Sequence, residues 1–531
     1  MRSTIVCASI IVLCASVFAQ APFPLTPGLG DLHHAVTTKN DEAQRYFDQG
    51  LRYVYAFNHD AAVQSFKRAT ELDPDLALGY WGMALALGPN INMDVDPQRE
   101  KQAYDLAKIA AAHNKHASPK ERDMIDVLAK RYSEDPGADL KKLSADYAAG
   151  MRELHAKYPE DPDIGVLFAE SLMDLHPWKL WTHSGEPAND DTLEIVKVLE
   201  SVLAAHPGHM GANHYYIHAV EGSPSPQRAL PSARRLTSLA PAAGHLVHMP
   251  AHIYQRTGNY AGAAEANAAG ARADRDFVKA HGEGMYSMMY YNHNLDFGAA
   301  SYAMDGRFTK AKQFADEVSA NASKLVREMP PIEPFTLGSL KVLLRFGKWR
   351  KVLEAPDTDA GPYAKSFRHF ARGVALARLG NAAGARSEQK ELDAAKTGLT
   401  DETGFLQNSG KALATVMEPL LQGQIAEAEG NRDAAIAAYR RAVEAEDGLY
   451  YDEPADWFYP TRETLGGALL RNGNFADAER VFREDIARNP NNPRSLFGLA
   501  EALKKQKKPS AKTVAAFRKV WRGQPLHAGD L

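Results

Sequence analysis

The chain has 531 residues, with 62 Lys and Arg against 66 Asp and Glu and a formal net charge of −4. That near balance gives no electrostatic pull toward nucleic acid or an anionic membrane surface. Ala, Leu, Glu, Lys and Arg are plentiful and β-branched runs are few, so the expected fold class is all-α.

In chain order, residues 1–19 read as a signal peptide. Arg2 supplies the charge, Ile5 to Phe18 the apolar run and Val17-Phe18-Ala19 the small-residue cleavage site. The run is too short for a comfortable membrane span, so the expectation is an exported chain, periplasmic or secreted, with no membrane span after cleavage. Both cysteines, Cys7 and Cys14, lie in this segment. The processed chain would then hold no disulfide and no thiolate metal site.

Residues 20–42 are rich in Pro and Gly and read as irregular. From Ala43, a spaced set of small and aromatic residues begins: Gly50, Tyr53, Ala62, Phe66, Ala69 and Pro74. Counting Ala43 as position 1, they fall at positions 8, 11, 20, 24, 27 and 32 of a 34-residue unit. Tyr459, Gly466, Leu469, Phe475, Ala478, Phe482 and Pro490 repeat that grammar near the other end, as do Gly423, Ala435, Tyr439 and Ala442. The pattern resembles the tetratricopeptide repeat, a helix–turn–helix unit. The resemblance implies an all-α, tetratricopeptide-type superhelix, an α-solenoid, with a concave groove lined by the first helix of each repeat. It also implies a possible peptide or protein ligand in that groove. It divides the chain into N-terminal repeats at 43–158, a histidine-rich central set at 159–330 and C-terminal repeats at 331–531. The aromatic insert Leu449–Arg462 interrupts the last set.

The central set carries the chemistry. His214, His218 and Glu221 are spaced i, i+4, i+7, and His245, His248 and His252 are spaced i, i+3, i+7. On a helix each set falls on one face. His214 to His248 is 34 residues, and so is His218 to His252. Two adjacent repeats would therefore hold equivalent HxxxH pairs, with His245, His248 and His252 at the groove-facing positions 2, 5 and 9 that the resemblance implies. Neutral imidazole is a ligand for Zn, Cu, Fe or Ni, and HxxxH lets two rings reach one ion.

The expected cofactor is a transition metal ion (Zn, Cu or Fe) held by these six residues, with His293 and His176 as further candidates. Paired HxxxH helices resemble type-3 dicopper proteins, while a carboxylate among histidines suits iron or zinc. Tyr215 stands where HExxH would need its glutamate. Asn58-His59 reads as a turn, and Asn90 and Asn92 as helix-end caps. No phosphate loop, nucleotide fingerprint or haem motif is present. Two functions remain open: a metal site in the groove with an open position for catalysis, or a scaffold that binds a peptide without catalysis.

Overall fold

The computed structural model describes residues 23–531 apart from 94–95, 358–359, 402–403 and 406. The first 19 residues, with the expected signal peptide, lie outside the described residues. The fold is an all-α superhelix of antiparallel helical hairpins. The paired strands of the described residues are two residues each, Gly404–Phe405 against Asn408–Ser409.

The repeat grammar explains the hairpins. In the first, helix Asp41–Tyr55 packs on helix His59–Leu72. Asn40 caps the first through its side chain, and Asn58 caps the second. The Phe66 ring, fully buried, lies against Gly50 of its own hairpin and Gly82 of the next. A Cβ at either glycine would sit 2.6 Å from that ring. Glycine at position 8 therefore admits the aromatic at position 24 into the joint between two repeats, and Phe482 sits the same way between Gly466 and Gly498. Burial of such rings, joint after joint, drives the stacking.

Two local breaks matter. The helix Pro162–Met173 ends before His176. The segment that carries His245, His248 and His252 is split into Gly244–His248 and Pro250–Arg256, because Pro250 supplies no N–H to the turn behind it.

The superhelix closes on itself. The insert Leu449–Arg462 brings the Tyr451 hydroxyl to 3.4 Å from Glu221. The Tyr260 hydroxyl donates to the Pro490 carbonyl at 3.0 Å, and Arg345 forks onto Glu463 with both groups buried. The coil at 23–40 runs along the first repeats. There Arg52 donates to the Leu32 carbonyl, and His34 meets Asp163 at 2.7 Å. This closure takes the central groove out of solvent. No helix among the described residues is long and apolar enough to cross a membrane.

Candidate metal centre

Two helices and a split one supply the histidines. His214 and His218 sit on Met210–Glu221, His245 and His248 on Gly244–His248, and His252 on Pro250–Arg256. His293 sits at the start of Asn292–Met304, directly after the five-residue π-helical turn Ser287–Tyr291. Such turns recur at functional sites. This one re-aims the helix so that a histidine outside the 34-residue register joins the others. Gly244 is required by close approach: a Cβ there would lie 1.8 Å from the Asp274 carboxylate. Asp274 accepts from Tyr286 (2.8 Å) and Asn294 (2.6 Å). It thereby ties the helix carrying His293 to the one behind His245.

The six rings form two groups of three: His214, His218 and His245, and His248, His252 and His293. Within each group one ligand atom per residue lies within 4.8 Å of the others. The His214 Nε2 is 3.0 Å from His245 Nε2 and 3.1 Å from His218 Nε2. In the second group His252 Nε2 is 2.9 Å from His248 Nε2, and the His293 ring centroid is 4.8 Å from that of His248. The groups abut, with ring centroids 5.6 Å apart for His218 and His252 and 5.5 Å for His245 and His248.

The opposite ring nitrogens fix the tautomers. His214 Nδ1 is 2.7 Å from the Tyr55 carbonyl oxygen, which can only accept. His248 Nδ1 is 2.7 Å from Asn267 Oδ1, whose amide nitrogen donates to the Ala263 carbonyl. His218 Nδ1 is 2.7 Å from one oxygen of Glu221, and His252 Nδ1 bonds the other. Each of these four rings carries its proton on Nδ1 and presents a bare Nε2 lone pair. In each group two such lone pairs face each other at about 3 Å, the separation of two imidazole nitrogens on one ion with bonds of about 2 Å.

Burial is complete enough to matter. His214 and His248 are 0% exposed, and His252 is 1%. Desolvation first, then neighbouring imidazoles, pull His214, His245 and His248 well below the usual histidine range. His293 is pulled down to about 3 by the same causes. Desolvation also lowers His218, against the pull of Glu221. Glu221 is buried, but His252 and His218 hold its carboxylate ionised, below the usual carboxylate range. His214, His218, His245, His248 and His293 are thereby held neutral and ready to ligate without losing a proton.

Seven of the eight expected residues come together, though not all in the expected role. Glu221, expected as a ligand, gives both oxygens to Nδ1 donors and so orients one histidine of each group. His176 stays apart, half-buried, with its Nε2 3.0 Å from Asp191.

Several partners of the histidines carry no motif of their own. Tyr55 and Asn267 fix two of the tautomers. Phe57 stacks on His245 and His218 at centroid distances of 5.3 and 6.0 Å. Asn92, expected as a cap, accepts from Trp178 Nε1 at 3.0 Å and donates to the Tyr290 hydroxyl at 3.3 Å. His59, expected as a turn residue, is buried and lines the cavity over the centre, with burial lowering it to about 4. That cavity, about 60 Å³, is also lined by Trp178, Tyr290, Asp452 and Glu453. Burial raises Glu453 to about 7. A third group, His34 with Asp161 and Asp163, lies apart from this cavity. There Asp163 bonds His34, His209 and Tyr55, which anchors the N-terminal coil.

Models of the tetratricopeptide repeat match residues 43–76, 420–447 and 464–520. The chain carries tetratricopeptide repeats. Among solved structures, yeast Tom70 aligns at 12% identity over 91% of this chain and 93% of its own, with a TM-score of 0.31. The anaphase-promoting-complex tetramer Cut9–Hcn1 aligns at 12% over 90% and 76%, TM-score 0.32. A human IFIT1 dimer with a capped RNA aligns at 13% over 91% and 90%, TM-score 0.33. At such scores these say nothing about function here. A search of curated proteins found no match.

Proposed function

We propose that this tetratricopeptide-repeat protein binds two transition-metal ions side by side. His214, His218 and His245 would hold one, and His248, His252 and His293 the other. The observation that carries the reading is the pairing of bare Nε2 lone pairs: His214 with His218 at 3.1 Å and His248 with His252 at 2.9 Å. Their protons are committed to acceptors on the far side of each ring. Two facing lone pairs repel unless a cation lies between them. Protonation of His214, His218 or His248, the other remedy, is opposed by burial.

A carboxylate-free set of imidazoles suits copper best among the candidate metals, with zinc next. Three protein ligands per ion leave a position open, which suits a catalytic rather than a closed structural site. Metal so bound would supply a Lewis acid or a redox couple. The residues around it exclude water with Phe57, Trp178 and Tyr290, and Glu453 offers a carboxyl that can carry a proton near neutral pH. We also propose that the chain is exported, on the character of residues 1–19.

The repeat scaffold supports a protein-binding role as well, with a peptide or protein partner on its remaining surfaces. The centre does not need that partner, since its histidines are enclosed by the chain itself.

Calorimetric titration of metal-stripped protein with Cu(II) and with Zn(II) tests the reading. About two equivalents should bind for either ion, one per histidine group, with copper tighter. Saturation at less than one equivalent for both would overturn it.

A further inference from the structure

A second cavity lies between the C-terminal repeats, away from the histidines, with a volume of about 610 Å³. That is the size of a site for a small organic molecule. Its walls are aromatic and cationic. Trp349 and Trp521 face it, with Phe308 and Tyr459.

Two side-chain carboxylates line the cavity, Glu463 and Asp530, with the backbone end of Leu531 beside them, against seven cationic side chains. Three of the seven are accounted for. Arg345 forks onto Glu463. Arg307 pairs with Asp305 and Glu265, and Arg522 lies 3.8 Å from Asp305. The other four, Lys310, Lys348, Arg378 and Arg494, have no carboxylate partner among the described residues.

Arg494 is the informative one. It is 6% exposed, and its guanidinium donates only to neutral carbonyls, those of Asp530 and Arg345, each at 2.6 Å. Its Nε has no partner. The acids nearest in the wall are committed: Glu463 to Arg345 and Asn492, and Asp530 to the His527 backbone N–H. Burial and the neighbouring Arg345 cation both disfavour its charge. Glu463 and Asp530 favour its charge from a distance but neither pairs with it, and a buried cation is costly until an anion meets it. Arg378 stacks on Trp349 at 5.4 Å and Lys348 lies over Phe308 at 5.1 Å. The remaining positive charge is thus spread along an aromatic wall.

We propose that this cavity binds a small organic anion, a carboxylate or phosphate ester with an apolar or aromatic body. Its charged end meets Arg494 together with Lys348 and Arg378, which have no carboxylate partner, Arg378 donating to the Gly529 carbonyl, and its body lies against Trp349 and Trp521. The site is independent of the metal centre.

Calorimetric titration of the full chain with phenyl phosphate, benzoate and neutral benzyl alcohol tests it. Phenyl phosphate or benzoate should bind saturably at one equivalent, and benzyl alcohol should not. Arg494→Gln should weaken anion binding at least 10-fold. So should the double variant Lys348→Gln/Arg378→Gln, which alters half-buried and exposed groups and decides the matter if the first variant does not fold. A His218→Ala/His252→Ala protein should bind the anion as the wild type does, which separates this site from the metal reading. No saturable binding of either anion, equal binding of the neutral alcohol, or unchanged affinity in the double variant would overturn the proposal.

Discussion

The central and C-terminal repeats use the same hairpin and line their inner faces with opposite chemistry. In the central repeats the Phe314 ring lies against Gly298, and in the C-terminal repeats the Phe482 ring lies against Gly466 in the same way. Inside the central repeats stand six imidazoles, enclosed by the insert Leu449–Arg462 and by Trp178. Inside the C-terminal repeats stand arginines and lysines around an open volume about ten times larger. The positions that join helices are fixed by packing, and the inner positions are free to carry chemistry. The fold therefore does not announce the site.

The largest expected effect breaks the C-terminal side alone. Arg345→Ala leaves Glu463 buried without its partner, and we expect a loss of about 3–5 kcal/mol, read by denaturant unfolding. Metal binding by the protein that stays folded should be unchanged, and a parallel loss of metal would mean that the two regions are one unit.

Next, Glu221→Gln keeps the shape and removes the charge that orients His218 and His252. Metal affinity should fall by about 10- to 100-fold with little change in helicity. A variant equal to wild type in a metal competition assay would show that Glu221 is only a packing group.

The pH response sharpens the contrast between buried and ordinary histidines. His214, His245, His248 and His293 all titrate below the ordinary 6.5, the last at about 3. Below pH 6.5 the unfolded chain takes up protons that the folded chain refuses, so metal-free stability should drop as pH falls from 6.5 toward 3. At His214, His245, His248 and His293, proton competition for bound metal begins only below the ordinary histidine range. Metal should therefore be retained to a lower pH than at an exposed histidine site. Thermal melts of stripped protein and metal retention after dialysis check the two halves.

The smallest effect is at His176. Its half-exposed pairing with Asp191 lies outside both groups, so His176→Ala should change stability by no more than about 1 kcal/mol and leave metal content unaltered.

Much of this was legible in the sequence. Gly50, Phe66, Gly466 and Phe482 gave the hairpins, because an aromatic in a glycine-lined joint leaves a spacing that can be read directly. The 34-residue offset of the two HxxxH pairs gave the facing of the helices. What was not legible came from long-range closure. Glu221 reads as a ligand from its i, i+3 and i+7 spacing, and only the arrival of His252 shows that both its oxygens orient imidazoles. Tyr55 contributes through a backbone carbonyl, which any residue would supply. His176 stands apart from both groups for a local reason: its helix ends at Met173, so helical spacing does not extend to it. His293 joined despite its irregular register, because the π-helical turn before it absorbs the difference.

The central claim is that six enclosed imidazoles hold metal, and metal content tests it most directly. Wild type and a His218→Ala/His252→Ala variant would be produced with Zn, Cu and Fe available and measured by mass spectrometry of the intact and digested protein. The account predicts about two ions per wild-type chain, three imidazoles to each. The variant should hold less than half of that, with helicity retained. Equal and near-zero metal in both proteins would contradict it.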